Sequence, residues 1–307
     1  MAGNFVQLHN HTHYSLLDGA SKVPDLVKRV KELGMPAVGI TDHGNMHGAY
    51  ELWRAAVDSG VKPIIGIEAY VTPETARQDK TRVSWDTNWT PVPGHARNPD
   101  DVSGGGLITH LTMWAENDEG LVNLIKASSV ANLEGRVMRY PRMDKEVLST
   151  YSKGVIASSG CPSGIIQTRL RLGQFDEALR AAGEFQDIFG KDNFYIELMD
   201  HGLSIESKVT GDLLTIAKKL GAPLLATNDS HYVMEADKDA QDAMLCINSG
   251  ATLDDPNRFK FEGSGYYIKS AEEMRELFKD HPDACDNTLE IAERCNVIFD
   301  DHEDGAF

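Results

Sequence analysis

The chain is poor in basic residues. Its 307 residues include only 30 Lys and Arg but 47 Asp and Glu, which gives a formal net charge of −17. Neutralising phosphates takes a surplus of basic side chains, so this balance argues against a protein that coats nucleic acid non-specifically. It does not exclude an enzyme that acts on nucleic acid, because bound divalent cations would reverse the field of an acidic site.

Cysteines and long apolar runs are also scarce. The four cysteines show no CxxC spacing, which in a chain of this size indicates reduced thiols rather than a disulfide framework. No apolar run approaches the length of a membrane span, and the N-terminal region lacks the residue order of a signal peptide. We therefore expect a cytoplasmic protein with no membrane partner.

The first residues of the metal-ligand type follow a short apolar stretch. Phe5, Val6 and Leu8 predict a strand that continues into His9 and His11. Residues i and i+2 of a strand point to the same side, so both imidazoles can reach one metal ion. A polar, solvated strand end is the alternative, and these residues alone do not decide between the two. The same kind of strand end recurs along the chain, which favours a metal.

Hydrophobic periodicity predicts strands that alternate with helices, and the seven resulting units favour a closed barrel of parallel strands over an open doubly wound α/β sheet. We predict this barrel over residues 1–250 and a helical extension over 251–307. Within the barrel, the Pro-, Asn- and Gly-rich segment 72–106 predicts a surface excursion. After the N-terminal strand, the predicted strands are 37–40, 63–67, 107–114, 154–159, 194–198 and 223–227. The predicted helices are 23–33, 46–59, 118–133, 175–189 and 205–220, and from about residue 235 onward the pattern is helical, most clearly over 271–278 and 284–295.

Ligand-type side chains lie at or just after six of the seven predicted strands. Barrels of this class build their active sites at the C-terminal ends of the strands, so we expect these side chains on one rim. They are too many for one ion, and Glu68, on a central strand, would bridge two ions. Their mixture of donors suits zinc, with manganese or iron tolerated. The candidates are His9, His11, Asp18, His43, Glu68, His110, Cys161, Asp229 and His231.

Several of these residues also have ordinary structural explanations. The alternatives are an inert buried thiol for Cys161, which is as well supported as a ligand, a turn cap for Asp229, and a turn histidine for His43, which its strand-end position disfavours. His201 is a candidate phosphate contact, although a helix-initiating loop capped by Asp200 explains it as well. If the metal interpretation holds, neighbouring ions suit hydrolysis of a phosphate ester, because they activate water and stabilise the attacking and leaving oxygens.

Short motifs in the chain resemble the polymerase and histidinol phosphatase (PHP) superfamily, and more closely the N-terminal PHP domain of bacterial DNA polymerase III alpha subunits. The resemblance covers essentially the whole chain. It implies a distorted seven-stranded (β/α)7 barrel with a trinuclear metal site. The motifs are His9-Asn10-His11, Thr41-Asp42-His43-Gly44, Gly66-Ile67-Glu68, His110, Gly160-Cys161-Pro162-Ser163-Gly164, Glu197-Leu198-Met199-Asp200-His201-Gly202, Asn228-Asp229-Ser230-His231 and Tyr266-Tyr267-Ile268-Lys269-Ser270.

The resemblance also implies a ligand set for each of three divalent ions. Cys161 stands where many relatives have histidine, which predicts a softer, more zinc-like second site. Glu68, Asp229, His231 and Asp18 would be the catalytic residues. The implied sets are His9, His11, Glu68 and Asp229 for one ion, Glu68, His110 and Cys161 for the second, and Asp18, His43 and His231 for the third.

Because all nine positions hold competent ligands, the resemblance implies a metal-dependent 3′-5′ exonuclease that removes mispaired nucleotides. The partners would be the 3′ end of a DNA primer-template, the rest of the polymerase alpha subunit, and through it the sliding clamp and the replisome at the nucleoid. The full-length protein would be a DNA-directed DNA polymerase whose palm lies beyond residue 307. The alternatives are a small-molecule phosphoesterase of the histidinol phosphatase type and a non-catalytic, metal-stabilised scaffold.

Overall fold

The structure, a computed structural model, describes residues 5–86, 90, 98, 100–101, 105–263 and 265–299. Much of the predicted excursion and the last residues of the predicted extension lie outside these ranges. No helix in the described ranges has the length and apolarity to cross a membrane.

Seven strands and ten α-helices make up the regular structure of the described residues. The strands are β1 (Ala37–Ile40), β2 (Lys62–Val71), β3 (Thr109–Ala115), β4 (Arg142–Met143), β5 (Val155–Ser158), β6 (Phe194–Leu198) and β7 (Leu224–Ala226). The helices are α1 (Val23–Glu32), α2 (Ala49–Ser59), α3 (Asp118–Glu134), α4 (Lys145–Thr150), α5 (Ile165–Arg171), α6 (Phe175–Phe189), α7 (Ser204–Leu220), α8 (Lys238–Ser249), α9 (Ala271–Leu277) and α10 (Pro282–Arg294).

The strands form one mixed sheet in the order β1-β2-β3-β5-β6-β7, with β4 paired to β2. Most neighbours are parallel, but β3 runs antiparallel to both β2 and β5. The prediction of exclusively parallel strands is therefore wrong. A parallel pair needs a crossover, usually a helix, and the described part of the segment from β2 to β3 contains none.

The N-terminal segment connects the two edges of this sheet. The predicted strand at 5–8 forms bridges instead of a regular strand, and Gln7 pairs with Val38 of β1. On its other side, the amide of His11 donates to the carbonyl of Ser230, just after β7, at 2.7 Å. The sheet is thus curled with its first segment between β1 and β7, and the predicted distorted α/β barrel is confirmed in this mixed form.

The long helices lie close to the positions predicted from the apolar periodicity of the sequence. In α1 the buried side chains Val23, Leu26, Val27 and Val30 recur at helical spacing on the core side. The prediction missed α4 and α5, which have 6 and 7 residues. Helices this short have too few turns for a periodic apolar pattern to be recognisable.

The predicted extension packs directly on the barrel. The hydroxyl of Thr288, on α10, accepts the amide of Val6 at 3.1 Å, and Ile291 joins a core cluster with Val6 and Trp114. The domain boundary at residue 250 stays a prediction. The described part of the excursion is anchored as well, because the buried ring of Trp85 packs under the guanidinium of Arg169 at 4.2 Å.

Candidate metal centre

The strands bring all nine predicted ligands to one rim of the curled sheet. His43 follows β1, Cys161 follows β5, and the 229–231 segment follows β7. Because β3 is antiparallel, its second residue, His110, lies at the same rim and pairs in register with Tyr70 of β2. The antiparallel strand therefore contributes its ligand from its N-terminal end, where the prediction of parallel strands would have required its C-terminal end.

The first group of donors is built from the N-terminal histidines and Asp229. Both His9 Nε2 and His11 Nε2 point at Oδ1 of Asp229, at 3.4 and 3.1 Å. The two nitrogens also lie 3.6 and 3.2 Å from the carboxylate oxygens of Glu68. The i, i+2 spacing of the histidines thus places both imidazoles around one point, within reach of two carboxylates.

Glu68 is the centre of the second group. β2 extends to Val71, beyond its predicted end, so Glu68 lies inside the strand with a fully buried side chain. Its Oε1 lies 3.0 Å from His110 Nδ1, and its Oε2 lies 2.7 Å from His43 Nδ1. Cys161 Sγ approaches His110 Nδ1 at 3.4 Å. The carboxylate of Glu68 therefore lies within 3.6 Å of nitrogens from four predicted ligands, namely His9, His11, His43 and His110.

Asp18 joins the remaining histidines. Its Oδ2 lies 2.9 Å from His43 Nε2 and 3.7 Å from His231 Nε2. His43 uses its second nitrogen for Glu68, so it connects this group with the previous one. The tightest three-residue groups, with donor atoms within 4.8 Å of one another, differ from the implied ligand sets: they are His9, His11 and Asp229; His43, Glu68 and His110; and His11, His43 and His231.

Buried donor atoms without a hydrogen-bond partner show that this cluster fits cations. Buried polar atoms in folded proteins are nearly always paired, so a concentration of unpaired ones needs an explanation. The described residues have seventeen such side-chain atoms, and the seven that belong to predicted ligands lie close together at the rim. They are His9 Nε2, His11 Nε2, Asp18 Oδ1, His43 Nδ1, Glu68 Oε2, Asp229 Oδ1 and His231 Nε2. A set of imidazole and carboxylate donors of this kind is suited to divalent transition-metal ions.

The electrostatics of the cluster also favour cations. Burial alone would raise the pKa of the Glu68 carboxyl, but the imidazoles of His110 and His43 hold it well below its usual range. The pKa of Asp18 is likewise lowered, because His231 and His43 outweigh its burial. These carboxylates are therefore ionised at neutral pH. Burial, helped by the carboxylate of Glu68, raises the pKa of the Cys161 thiol, so a cation would have to displace its proton.

Sequence reasoning missed the residues that orient the ligands. His9 Nδ1 lies 2.7 Å from Oε1 of the buried Glu197 on β6, which also accepts the hydroxyl of Thr227 at 2.5 Å. A metal-ligating histidine commonly donates its other ring N–H to a carboxylate in this way. His11 Nδ1 contacts Ser15 Oγ at 2.9 Å. The available signal for Glu197 was a single carboxylate within the apolar run of β6.

Asp229 has an unusual backbone conformation. Its φ is +43°, in the left-handed region that non-glycine residues seldom occupy. The preceding residue holds the loop in place, because Asn228 accepts the ammonium of Lys269 at 2.7 Å and donates to the carbonyl of Tyr267 at 2.8 Å. The strained turn directs the carboxylate of Asp229 towards His9 and the other ligands.

A cleft of about 1340 Å³ opens over the cluster, and its wall includes His201. Both ring nitrogens of His201 are engaged within the protein, Nδ1 with Glu206 at 2.6 Å and Nε2 with the carbonyl of Asn228 at 2.9 Å. Asp200 caps the turn by accepting the amide of Gly202 at 2.9 Å. These contacts favour the structural interpretation of His201 over a phosphate contact.

The chain is similar in sequence to a known domain family and to several curated proteins. The family profile described as PHP domain matches residues 7–201. The DNA polymerase III subunit alpha of Mycobacterium leprae is 53% identical over 97% of this chain and 25% of its own length, and that of Saccharopolyspora erythraea is 55% identical over 96% and 25%. A solved two-domain protein of Bacteroides vulgatus, described as containing a PHP-like metal-dependent phosphoesterase, aligns over 95% of this chain and 69% of its own, with a TM-score of 0.41 and 11% identity. The chain spans about a quarter of the length of the curated relatives.

Proposed function

We propose a function on the premise that this chain belongs to the PHP domain family, as the match over residues 7–201 shows and its motifs predict. The chain is the metal-dependent 3′-5′ exonuclease domain of a bacterial DNA polymerase III alpha subunit, and it hydrolyses the 3′-terminal phosphodiester of DNA. Two findings support the proposal: the similarity to polymerase alpha subunits over nearly the whole chain, and the grouping of the nine predicted ligands at one rim, where six of them line an open cleft.

The observation that carries this proposal is the convergence of buried imidazole and carboxylate atoms from seven predicted ligands, which approach one another at ion-pair distances without forming hydrogen bonds. We propose that they hold three divalent ions, zinc in the first place, with manganese or iron as substitutes. Bound divalent ions supply Lewis acidity and an activated water at neutral pH. The residues that would hold them are His9, His11, Asp18, His43, Glu68, His110, Cys161, Asp229 and His231.

The predicted ligands differ in exposure, and their proposed roles in hydrolysis differ accordingly. The carboxylates of Glu68 and Asp229 have side chains that are 0% and 11% exposed, so they fix the ligand geometry inside the cluster. Asp18 is more exposed, at 18%, and lies beside His43 and His231 at the cleft. Hydrolysis takes a proton from the attacking water and delivers one to the departing 3′ oxygen. The ionised Asp18 is positioned to accept the first proton and His231 to hold the second.

The acidic composition determines how DNA reaches this site. A net charge of −17 gives little affinity for the phosphate backbone away from bound cations. We therefore propose that the rest of the alpha subunit, and through it the sliding clamp and the replisome, places the primer 3′ end in the cleft. A cytoplasmic, nucleoid-associated location follows from that assembly.

The test is a direct comparison of substrates and variants. The chain is incubated with zinc or manganese and a 5′-labelled primer-template that ends in a 3′ mismatch, and shortening is followed on a gel. Asp18→Asn removes the exposed carboxylate and should slow shortening at least about 100-fold, since it removes a proton-transfer group. Asp25→Asn, an exposed residue on α1, is the matched control and should behave like the parent.

Two outcomes would contradict the proposal. Release of phosphate from histidinol phosphate without shortening of DNA would identify a small-molecule phosphoesterase. Full metal occupancy with neither activity would assign the ions a structural role that stabilises the barrel.

A further inference from the structure

Phe259, Lys260 and Phe261 form a lip at the mouth of the cleft over the metal centre, between α8 and α9. None of the three is a predicted ligand. The side chain of Phe259 is 61% exposed, and its ring stands at 84° to that of Phe261 with centroids 5.9 Å apart. The lip therefore presents a flat aromatic face to solvent next to the cleft.

The lip is joined to the metal centre by ring contacts. The ring of Phe261 meets the ring of His231 edge to face, with centroids 4.6 Å apart. Phe261 also packs on Tyr266 at 4.8 Å, and Tyr266 stacks on His201 at 4.0 Å with only 14° between the planes. A continuous aromatic wall thus leads from a predicted ligand to the exposed ring of Phe259.

Lys260 adds a positive charge to this wall. Its side chain is exposed and borders both the cleft and a neighbouring surface pocket of about 920 Å³. That pocket is lined by Lys238, by Arg258 in an ion pair with Asp242, and by Asp239 and Glu262. Basic side chains beside aromatic faces are the combination that binds single-stranded nucleic acid, because the bases stack and the phosphates pair with the cations. Lys260 and Phe259 provide this combination beside the cleft, although the chain as a whole has a net charge of −17.

We propose that the lip binds the last nucleotides of an unpaired DNA 3′ end, with a base stacked on Phe259 and a backbone phosphate paired with Lys260. This inference rests on the proposed exonuclease function. Stacking tolerates any base, as a site that accepts any terminal nucleotide requires. A mispaired end is already partly unstacked, so it reaches the lip at a lower energetic cost than a paired end. The lip therefore selects frayed ends.

The test measures stacking directly. A single-stranded oligonucleotide carries 2-aminopurine at its 3′ end, whose fluorescence falls on stacking, and a terminal phosphorothioate slows its hydrolysis. Titration with the zinc-loaded chain should give saturable quenching. Phe259→Ala should weaken binding about 5- to 100-fold and abolish the quenching, whereas Phe259→Tyr should retain both. Leu133→Ala, which removes another exposed apolar side chain at 85% exposure, is the matched control.

A second substrate separates this inference from the exonuclease proposal. On a strand whose 3′-terminal sugar lacks a base, Phe259→Ala should cleave as fast as the parent, since no stacking is lost. On a base-bearing strand its KM should rise while its kcat stays close to the parent's. If Phe259→Ala matches the parent in quenching, affinity and KM while DNA is shortened, the stacking site is wrong and the exonuclease stands. If the parent quenches 2-aminopurine through Phe259 but shortens no DNA, the exonuclease proposal fails and the binding site stands.

Discussion

The imidazole of His9 is held between two carboxylates, with Nδ1 at 2.7 Å from Glu197 and Nε2 at 3.4 Å from Asp229. Burial alone would lower the pKa of His9, but Asp229 and Glu197 raise it well above its ordinary value. Glu197 thereby fixes which nitrogen of His9 faces the cluster, although Glu197 itself is outside the predicted ligand set.

We expect Glu197→Gln to weaken metal binding without unfolding the chain. An amide keeps the size of the side chain but loses the charge that orients His9, and losses of outer partners of this kind cost about 10- to 100-fold in metal affinity. Zinc affinity is measured by competition with a chromophoric chelator. Glu293→Gln, at an exposed position on α10, is the control, and equal affinities for the two variants would contradict the orienting role.

Asp229 allows its charge and its backbone strain to be tested separately. Asn tolerates the left-handed conformation that Asp229 adopts at φ +43°, whereas Ala does not. In the presence of a chelator, Asp229→Ala should therefore be less stable than Asp229→Asn by about 1 kcal/mol, as urea unfolding would measure. Both variants should lose zinc affinity relative to the parent. Equal stability of the two variants would show that the turn stores no strain.

The thiols should be inert in the folded chain. Cys161, Cys246, Cys285 and Cys295 are all buried, and burial raises the pKa of Cys285 to about 11 and that of Cys295 to about 12. The thiolate is the reactive form, so Cys285 and Cys295 hold little of it at pH 8, and burial restricts access of a reagent to all four thiols. We expect no fast reaction with a disulfide reagent in the native state, and reaction of all four thiols in denaturant. A fast native thiol that disappears in Cys161→Ser would show that the metal centre is more open than described.

Lys269 should make the free energy of unfolding depend on pH in the alkaline range. Burial lowers its pKa from 10.5 to about 8 in the folded chain. Between these two values the unfolded chain binds more protons than the folded chain, so the contribution of this group to the free energy of unfolding increases as pH rises. Urea unfolding of the parent should therefore gain stability relative to Lys269→Met from pH 8 upwards. Lys31→Met, exposed on α1, is the control, and parallel curves for parent and Lys269→Met would contradict the shift.

Much of the fold could be predicted because its signals are local. The periodic apolar face of α1 and the apolar run of β6 appear in the sequence within a few residues of each other. The direction of β3 could not be predicted this way, since strand direction depends on long-range pairing and on a connection without a helix. The extension of β2 past Glu68 was missed for a related reason: polar residues on a buried strand look like its end.

The candidate site was also predictable only in its local features. Ligand types at strand ends, such as His43 and Asp229, were visible in the sequence as polar residues after apolar runs. The sequence did not show which ligands contact the same carboxylate, because the contacts of Glu68 with His43 and His110 join residues far apart in the chain. The lip at Phe259 was missed because one exposed aromatic residue in a polar segment is common and carries no signal by itself.

The proposed metal-dependent exonuclease function is tested by measuring the release of deoxynucleoside monophosphate from a mismatched primer-template. The parent, His9→Ala and His47→Ala are dialysed against chelator, reloaded with zinc, and assayed beside a metal analysis of the same samples. His47 is exposed and lies outside every donor group of the described residues, so it is the matched histidine control. We expect release by the parent and His47→Ala, restored by zinc, and neither release nor full metal content in His9→Ala. Equal release by all three proteins, or none from a fully loaded parent, would contradict it.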